Sequence, residues 1–130
     1  MSPHPSDSPE WVTRVHLAAC YRLCALNQWD DLIYTHISAA IPGECDHYLI
    51  NPFGRQFDEI TASSLLKVNV RGELLPHQSG MVNPTGFAIH GAIHRARTDA
   101  QCVMHLHNTA GIAVSAQRDG LLPLSQHAMR

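Results

Sequence analysis

The sequence predicts a layered domain of the α/β or α+β type. Three observations carry this expectation. Apolar residues recur at helical spacing near the start of the chain and again in its second half, two strand-like runs flank a Pro-Gly turn, and the second helical stretch runs directly into a further strand.

Taken in order, residues 1–8 are rich in Ser and Pro and read as a flexible arm, with the domain proper over 9–130. Ser8 can cap and Pro9 can occupy the first turn of a helix over 9–27. Val12, Val15, Ala19 and Leu23 recur on it as a face that needs covering. "YTHISAAI" and "HYLIN" read as a hairpin about "PGECD". "NPFG" makes a turn, "ITASSLL" a short helical piece, and "LKVNV" with "RGELL" a strand and its turn. "NPTGFAIHGAIHRARTD" returns to helical spacing, offering Phe87, Ala88, Ala92 and Ala96 for burial. "AQCVMHLH" is then a buried-looking strand, and "NTAGIAVSAQRDG" a short helix closed by Gly120.

Composition narrows the function. At 130 residues the chain is one domain at most, and 45% hydrophobic with 15% charged residues is ordinary globular material. Nine Lys and Arg against 11 Asp and Glu, without a basic stripe, exclude the electrostatic footprint of a nucleic-acid binder. No apolar run approaches the roughly 18 residues of a membrane span, and the first residues lack a secretory pattern. Cys20, Cys24, Cys45 and Cys102 form no C-x-x-C pair; Cys20 and Cys24 share a helix face and read as small buried apolar residues. A reducing, cytoplasmic setting is the expectation.

Histidine is the unusual component, with 10 residues. His105 and His107 stand at i and i+2 on a strand, so they share a face with Cα atoms about 6.5 to 7 Å apart. Such a pair can converge on one metal ion, or can be two core histidines bonded to backbone carbonyls. His90 and His94 have helical i, i+4 spacing but no Glu follows His90, so they read as residues packing or hydrogen bonding near the sheet. His4, His16, His36, His47, His77 and His127 have no partner at ligand spacing and default to structural or solvated roles. After the pair, Asn108 or Thr109 caps a helix start, where free N–H groups favour a carboxylate or phosphate. A nucleophile elbow, a dinucleotide-binding fingerprint and a Walker-type loop are all missing from the sequence.

The stretches "WDDLIYTHISAAIPG", "LINPFGRQFDEITASSL", "NPTGFAIHGAIHRARTDAQCVMHLHNTAGIAVSA" and "GLLPLSQHA" resemble consecutive motifs of the class II aldolase and adducin head-domain family, from Trp11 to the last residue. The resemblance implies an α/β fold, a three-layer αβα domain around a mainly antiparallel central sheet, assembled as a homo-oligomer, a tetramer in relatives. It implies a divalent metal, zinc before iron or manganese, on His105 and His107 with a third histidine farther along. That metal would act as a Lewis acid in a lyase reaction, carbon–carbon or decarboxylating, on a small hydroxy-carbonyl or carboxylate substrate.

Two departures qualify this. The family's general-base Glu falls on Gly86, and its phosphate-binding Ser pair on Pro84 and Thr85. The loop that is Gly-Asn-Val-Ser-like in the aldolases reads Thr35-His36-Ile37-Ser38, while Gly54 keeps the turn that borders the substrate pocket in relatives. The catalytic residue is therefore left unknown, with Glu73 and Asp58 as acids to place. These changes are similar to the adducin-like branch, so a non-catalytic interaction or assembly domain is the rival reading. The chain also ends at Arg130, before the region of the third histidine, so a C-terminally truncated domain, inactive by itself, is expected. Lys67, Asn69 and Asn51 are expected to serve strand and turn structure only.

Overall fold

The computed structural model describes residues 7–76 and 78–129; most of the expected arm, with His4, and also His77 fall outside them. Eight elements follow in order: helix α1 (Pro9–Leu26), strands β1 (His36–Ala40) and β2 (His47–Ile50), a 3-10 turn (Phe57–Glu59), β3 (Leu66–Asn69), α2 (Pro84–Ala96), β4 (Cys102–His105) and α3 (Thr109–Ser115). The four strands form one antiparallel sheet in the order β3-β2-β1-β4.

Strand alternation divides the interior in two. Ile37 and Leu49 point to one face, where Leu17, Ala18, Tyr21 and Cys24 of α1 and Phe57 of the 3-10 turn cover them. Tyr48, Ile50, Leu66 and Val68 point to the other, beside Phe87 of α2. Helix, sheet and helix thus form the three layers expected, around an antiparallel sheet. Tyr21 joins the layers: its hydroxyl accepts the N–H groups of Ile37 at 2.8 Å and Asn51 at 3.2 Å and donates to the Ile37 carbonyl.

Local signals set the helix starts. The Ser8 side chain accepts the Trp11 N–H at 3.2 Å with Pro9 following, and Asn83 accepts the Thr85 N–H at 3.0 Å ahead of Pro84. Gly54 takes φ +87° in the "NPFG" turn, a conformation that favours glycine. Lys67 of β3 pairs with Glu10 at 2.9 Å and Glu44 at 2.7 Å, tying α1 and the hairpin turn to the sheet. Asn69 braces the following turn through Glu73 and Arg71, and Asn51 Oδ1 lies 2.8 Å from the Tyr21 hydroxyl.

Several expectations are corrected. On α1 the buried stripe is Leu17, Ala18, Tyr21 and Cys24, while Val12, Val15 and Leu23 are exposed. The face around Tyr21 wins because its hydroxyl serves three backbone groups of the sheet. On α2 the buried residues are Gly86, His90, Gly91 and His94, with Phe87 half-buried and Ala88, Ala92 and Ala96 exposed. Polar residues take the inner face there because Ser38 and His36 offer them hydrogen bonds. "ITASSLL" forms turns, and the only helical piece nearby is the 3-10 turn before it. β4 is half-exposed because it lies at the edge of the sheet, and α3 ends at Ser115, with Gly120 in a later turn. Cys24 is buried and Cys20 half-buried, both as free thiols.

Candidate metal centre

The β1–β4 register sets His36 opposite His105, and their rings lie 4.8 Å apart between centroids. His107 follows just beyond the strand, where its N–H donates to the Trp29 carbonyl at 3.2 Å. The Nε2 atoms of His105 and His107 are 3.0 Å apart. Two nitrogens on one tetrahedral zinc, each at about 2.0 to 2.1 Å, would be about 3.3 Å apart, so the pair is close to chelating separation.

Asp31 stands behind the pair. Its Oδ2 lies 2.8 Å from His107 Nδ1, which assigns the proton to Nδ1 and leaves Nε2 with a lone pair toward His105. The carboxylate is presented by a loop in which Gln28 and Leu32 adopt φ of 57° and 47°. A bulky residue such as Leu32 in the left-handed region costs on the order of 1 kcal/mol, which the surrounding bonds must offset. One of those bonds runs from the Asp31 N–H to Thr35 Oγ1 at 3.1 Å.

Beneath the pair, between β1 and α2, is a buried polar chain. His36 Nδ1 is 2.7 Å from His90 Nε2; His90 Nδ1 meets Ser38 Oγ; Ser38 Oγ is 2.8 Å from His94 Nε2. All four side chains are under 10% exposed. Burial, with His105 and His107 near, holds His36 down at about 4, and burial, with His36, His94 and His105 near, holds His90 at about 3. Burial also lowers His94 and His105. These imidazoles are therefore neutral at physiological pH, the form that binds metals and hydrogen-bonds directionally.

A cleft of about 360 Å³ opens over this centre, lined by His36, His105, His107, Tyr34, Phe53 and Thr85 among others. A larger one, about 660 Å³, lies beyond His94 at the far end of α2, beside Arg71 and Arg95. The smaller cleft is the better site because the convergent imidazoles are there.

The other candidates are placed as follows. Asn108 caps α3, its Oδ1 accepting the Gly111 N–H at 2.6 Å, and Thr109 is exposed; neither they nor Gly54 line the cleft, although Phe53 next to Gly54 does. Glu73 is bound to Asn69 at 2.6 Å, and Asp58 sits in the 3-10 turn; neither lines the cleft. His90 and His94 bond beside the sheet, as expected. His47 pairs with Glu44, and His16 and His127 are exposed. His36 and Asp31 were not singled out by spacing, because sheet register and a loop bring them in. The usable signal was that His36 and Ser38 share a strand face and His90 and His94 share a helix face. Among the described residues no group of three His, Cys, Asp or Glu is arranged to hold an ion, so the fit is that of a two-nitrogen chelate.

A helix–sheet–helix domain with a histidine pair at the end of an edge strand is thus defined, and comparison places it. Residues 15–130 match the model of the Class II Aldolase and Adducin N-terminal domain, and the chain belongs to that family. It is similar to the structure of an aldolase II superfamily protein from Pseudomonas syringae, with 55% identity and a TM-score of 0.84, over 98% of this chain and 50% of that one. L-fuculose 1-phosphate aldolase from Glaciozyma antarctica PI12 is 34% identical with a TM-score of 0.72, over 82% of this chain and 44% of that one. Alpha-adducin of Rattus norvegicus is 48% identical over 125 residues, 95% of this chain and 17% of adducin. The chain spans about half the length, 47%, of the bacterial curated relatives that it matches. Among the described residues no helix is long and apolar enough to cross a membrane.

Proposed function

We propose that this domain carries part of a divalent-metal site for lyase chemistry, of the aldol-cleaving or decarboxylating kind, on a small hydroxy-carbonyl or carboxylate substrate. His105 and His107 are the ligands. The observation that carries the reading is their 3.0 Å Nε2 separation with Asp31 fixed to the back of His107. Two lone pairs facing each other at that distance repel unless a proton or a cation lies between them. A divalent ion held there, zinc in this proposal with iron or manganese as the other candidates, supplies Lewis acidity toward adjacent substrate oxygens.

The chain's own residues do the rest. Asp31 holds the His107 tautomer, Tyr34 and Phe53 wall the cleft, and Thr85 stands at the mouth of α2 where a polar substrate group can reach it. Asn108, Thr109 and Gly54 are proposed only as outer positions flanking the substrate. We place the protein in a reducing, cytoplasmic setting, in keeping with four free cysteines, and propose that it is a homo-oligomer, on the strength of the exposed apolar side chains Trp29, Tyr34, Ile89 and Met104 around the cleft, α2 and β4.

The test is metal content by elemental analysis, wild type beside the His105→Ala, His107→Ala double variant. About one ion per chain, lost in the double variant, supports the site; equal metal in both would remove it. A second reading, an assembly domain without catalysis, is favoured by the absence of a carboxylate from the cleft lining among the described residues and by Gly86 at the head of α2. Metal bound at the pair without aldol cleavage or decarboxylation of any small hydroxy-carbonyl compound would select it.

A further inference from the structure

Helix α1 is apolar on both sides, and the fold uses only one of them. Leu17, Tyr21 and Cys24 meet the sheet. Val12, Val15, Ala19, Leu23 and Leu26 are all exposed, Leu23 at 58% and Leu26 at 79%. At about 3.6 residues per turn these five fall in one stripe diametrically opposite the buried one. A single surface leucine needs no explanation. Five neighbours at i, i+3 and i+4 spacing are different: they make a contiguous patch about 21 Å long, of the kind that marks a contact surface.

Charge limits what can cover this patch. Glu10, the acid of α1, lies on the inner side, paired with Arg14 and Lys67. Arg22, at the margin of the stripe, turns its Nε to the Ile60 carbonyl at 3.1 Å. The stripe therefore offers nothing to a charged ligand, and its natural cover is another apolar face.

Its spacing selects which one. Val12 and Leu26 stand seven residues on either side of Ala19, and Val15 and Leu23 stand four on either side. A pattern symmetric about its own centre is self-complementary under a two-fold axis. Laid antiparallel, two such helices bring Ala19 against Ala19, Val15 level with Leu23, and Val12 level with Leu26. The small residue at the crossing lets the helix axes come as close as about 8 Å, the short end of helix packing. With Trp11 at the rim, the stripe exposes roughly 500 Å² per copy, so a pair would bury about 1,000 Å², the area that a specific interface must reach.

We propose that α1 is a dimerisation helix, its outer stripe packed antiparallel on the same stripe of a second copy about a two-fold axis at Ala19. The contact lies on the α1 side of the sheet, whereas Thr85 of α2 lines the metal cleft on the other. It is thus separate from the apolar side chains around the cleft, and it does not rest on the metal reading.

The experiment uses the full chain in sedimentation equilibrium. Wild type should dimerise at micromolar concentration, and Leu23→Glu, which places two carboxylates in one symmetric contact, should weaken the dimer at least about a hundredfold. Leu23 is exposed in the single chain, so the far-ultraviolet circular dichroism and urea midpoint of Leu23→Glu should match wild type. If the side chains around the cleft associate as well, wild type is larger than a dimer and Leu23→Glu halves its mass. The antiparallel order is read by a short bismaleimide in a Cys45→Ser, Cys102→Ser background. Chains carrying Val12→Cys should cross-link to chains carrying Leu26→Cys far faster than either does to itself. A monomeric wild type would overturn the proposal and leave the stripe to a different occupant. So would a folded Leu23→Glu with the mass of wild type, or cross-linking of position 26 to itself in preference to position 12.

Discussion

Asp31 holds His107 from behind, carboxylate Oδ2 to imidazole Nδ1 at 2.8 Å, across 76 residues of chain. The carboxylate does two things for the pair: it fixes the ring rotamer, and it directs the Nε2 lone pair toward His105. Removing such an outer partner typically weakens metal affinity about 10–100-fold. Asp31→Ala should do so here, measured by competition with a zinc chelator, and Asp31→Asn should lose less because the amide oxygen still accepts. Undiminished affinity in Asp31→Ala would show that His107 needs no orienting partner.

Tyr21 tests the scaffold separately from the site. Its hydroxyl is fully buried and serves the backbone of Ile37 in β1 and of Asn51 just after β2. Tyr21→Phe preserves the ring that meets Phe57 edge-on but strands those N–H groups. A loss of about 1–3 kcal/mol in urea unfolding is expected, with zinc affinity unaltered. A neutral Tyr21→Phe would mean that the sheet finds other partners for those groups.

Acid should weaken the fold in two stages. His36 and His90 are held at about 4 and about 3 by burial, below their ordinary value of 6.5. Above about pH 6.5 both are neutral folded or unfolded, and their buried bonds contribute fully. As pH falls below that, the unfolded chain takes up protons that the folded chain refuses, so stability drops progressively toward pH 4 and below. Glu10 is also held below its ordinary 4.5 by Lys67 and Arg14, which outweigh its partial burial, and so adds a second loss only at lower pH. Urea midpoints measured from pH 7.5 to 4 should already fall between 6.5 and 5. A flat profile there would show that the imidazoles protonate inside the fold without cost.

The element order and the H-x-H pair were legible because they depend on local pattern: strand alternation, Pro and Ser at a helix start, two histidines on one strand. Which helix face goes inward was not. On α1, Val12, Val15 and Leu23 are as apolar as the residues that are buried, and only the reach of the Tyr21 hydroxyl to the sheet decides between the two stripes. On α2, hydropathy ranks Ala88 and Ala92 above His90 and His94. The buried choice follows from Ser38 and His36 lying across from that helix, which spacing along α2 cannot show. Asp31 escaped for a similar reason, since a loop residue carries no period and meets His107 only through the fold.

Gly86 gives the sharpest test of how tightly the centre is packed. It lies in the first turn of α2 with ordinary helical geometry, so glycine is not there for its backbone. By propensity alone Gly86→Ala should stabilise the helix by as much as about 1 kcal/mol. Against this, the added Cβ would stand 3.1 to 3.3 Å from three atoms of the His36 ring. Had that ring been the free end of a flexible side chain, it would shift by a few tenths of an ångström and the propensity gain would prevail. It is instead bonded at Nδ1 to His90 and packed beside the tilted ring of His105, so the shift must stretch a buried hydrogen bond or displace a candidate ligand. Overpacking of this kind costs about 1–3 kcal/mol, enough to cancel or exceed the gain. Gly86→Ala should therefore unfold at lower urea than wild type, and the His36 and His105 ring resonances should move together. A more stable Gly86→Ala with unshifted His36 would show that the ring yields freely, and that glycine at this position is not required by the histidine packed on it.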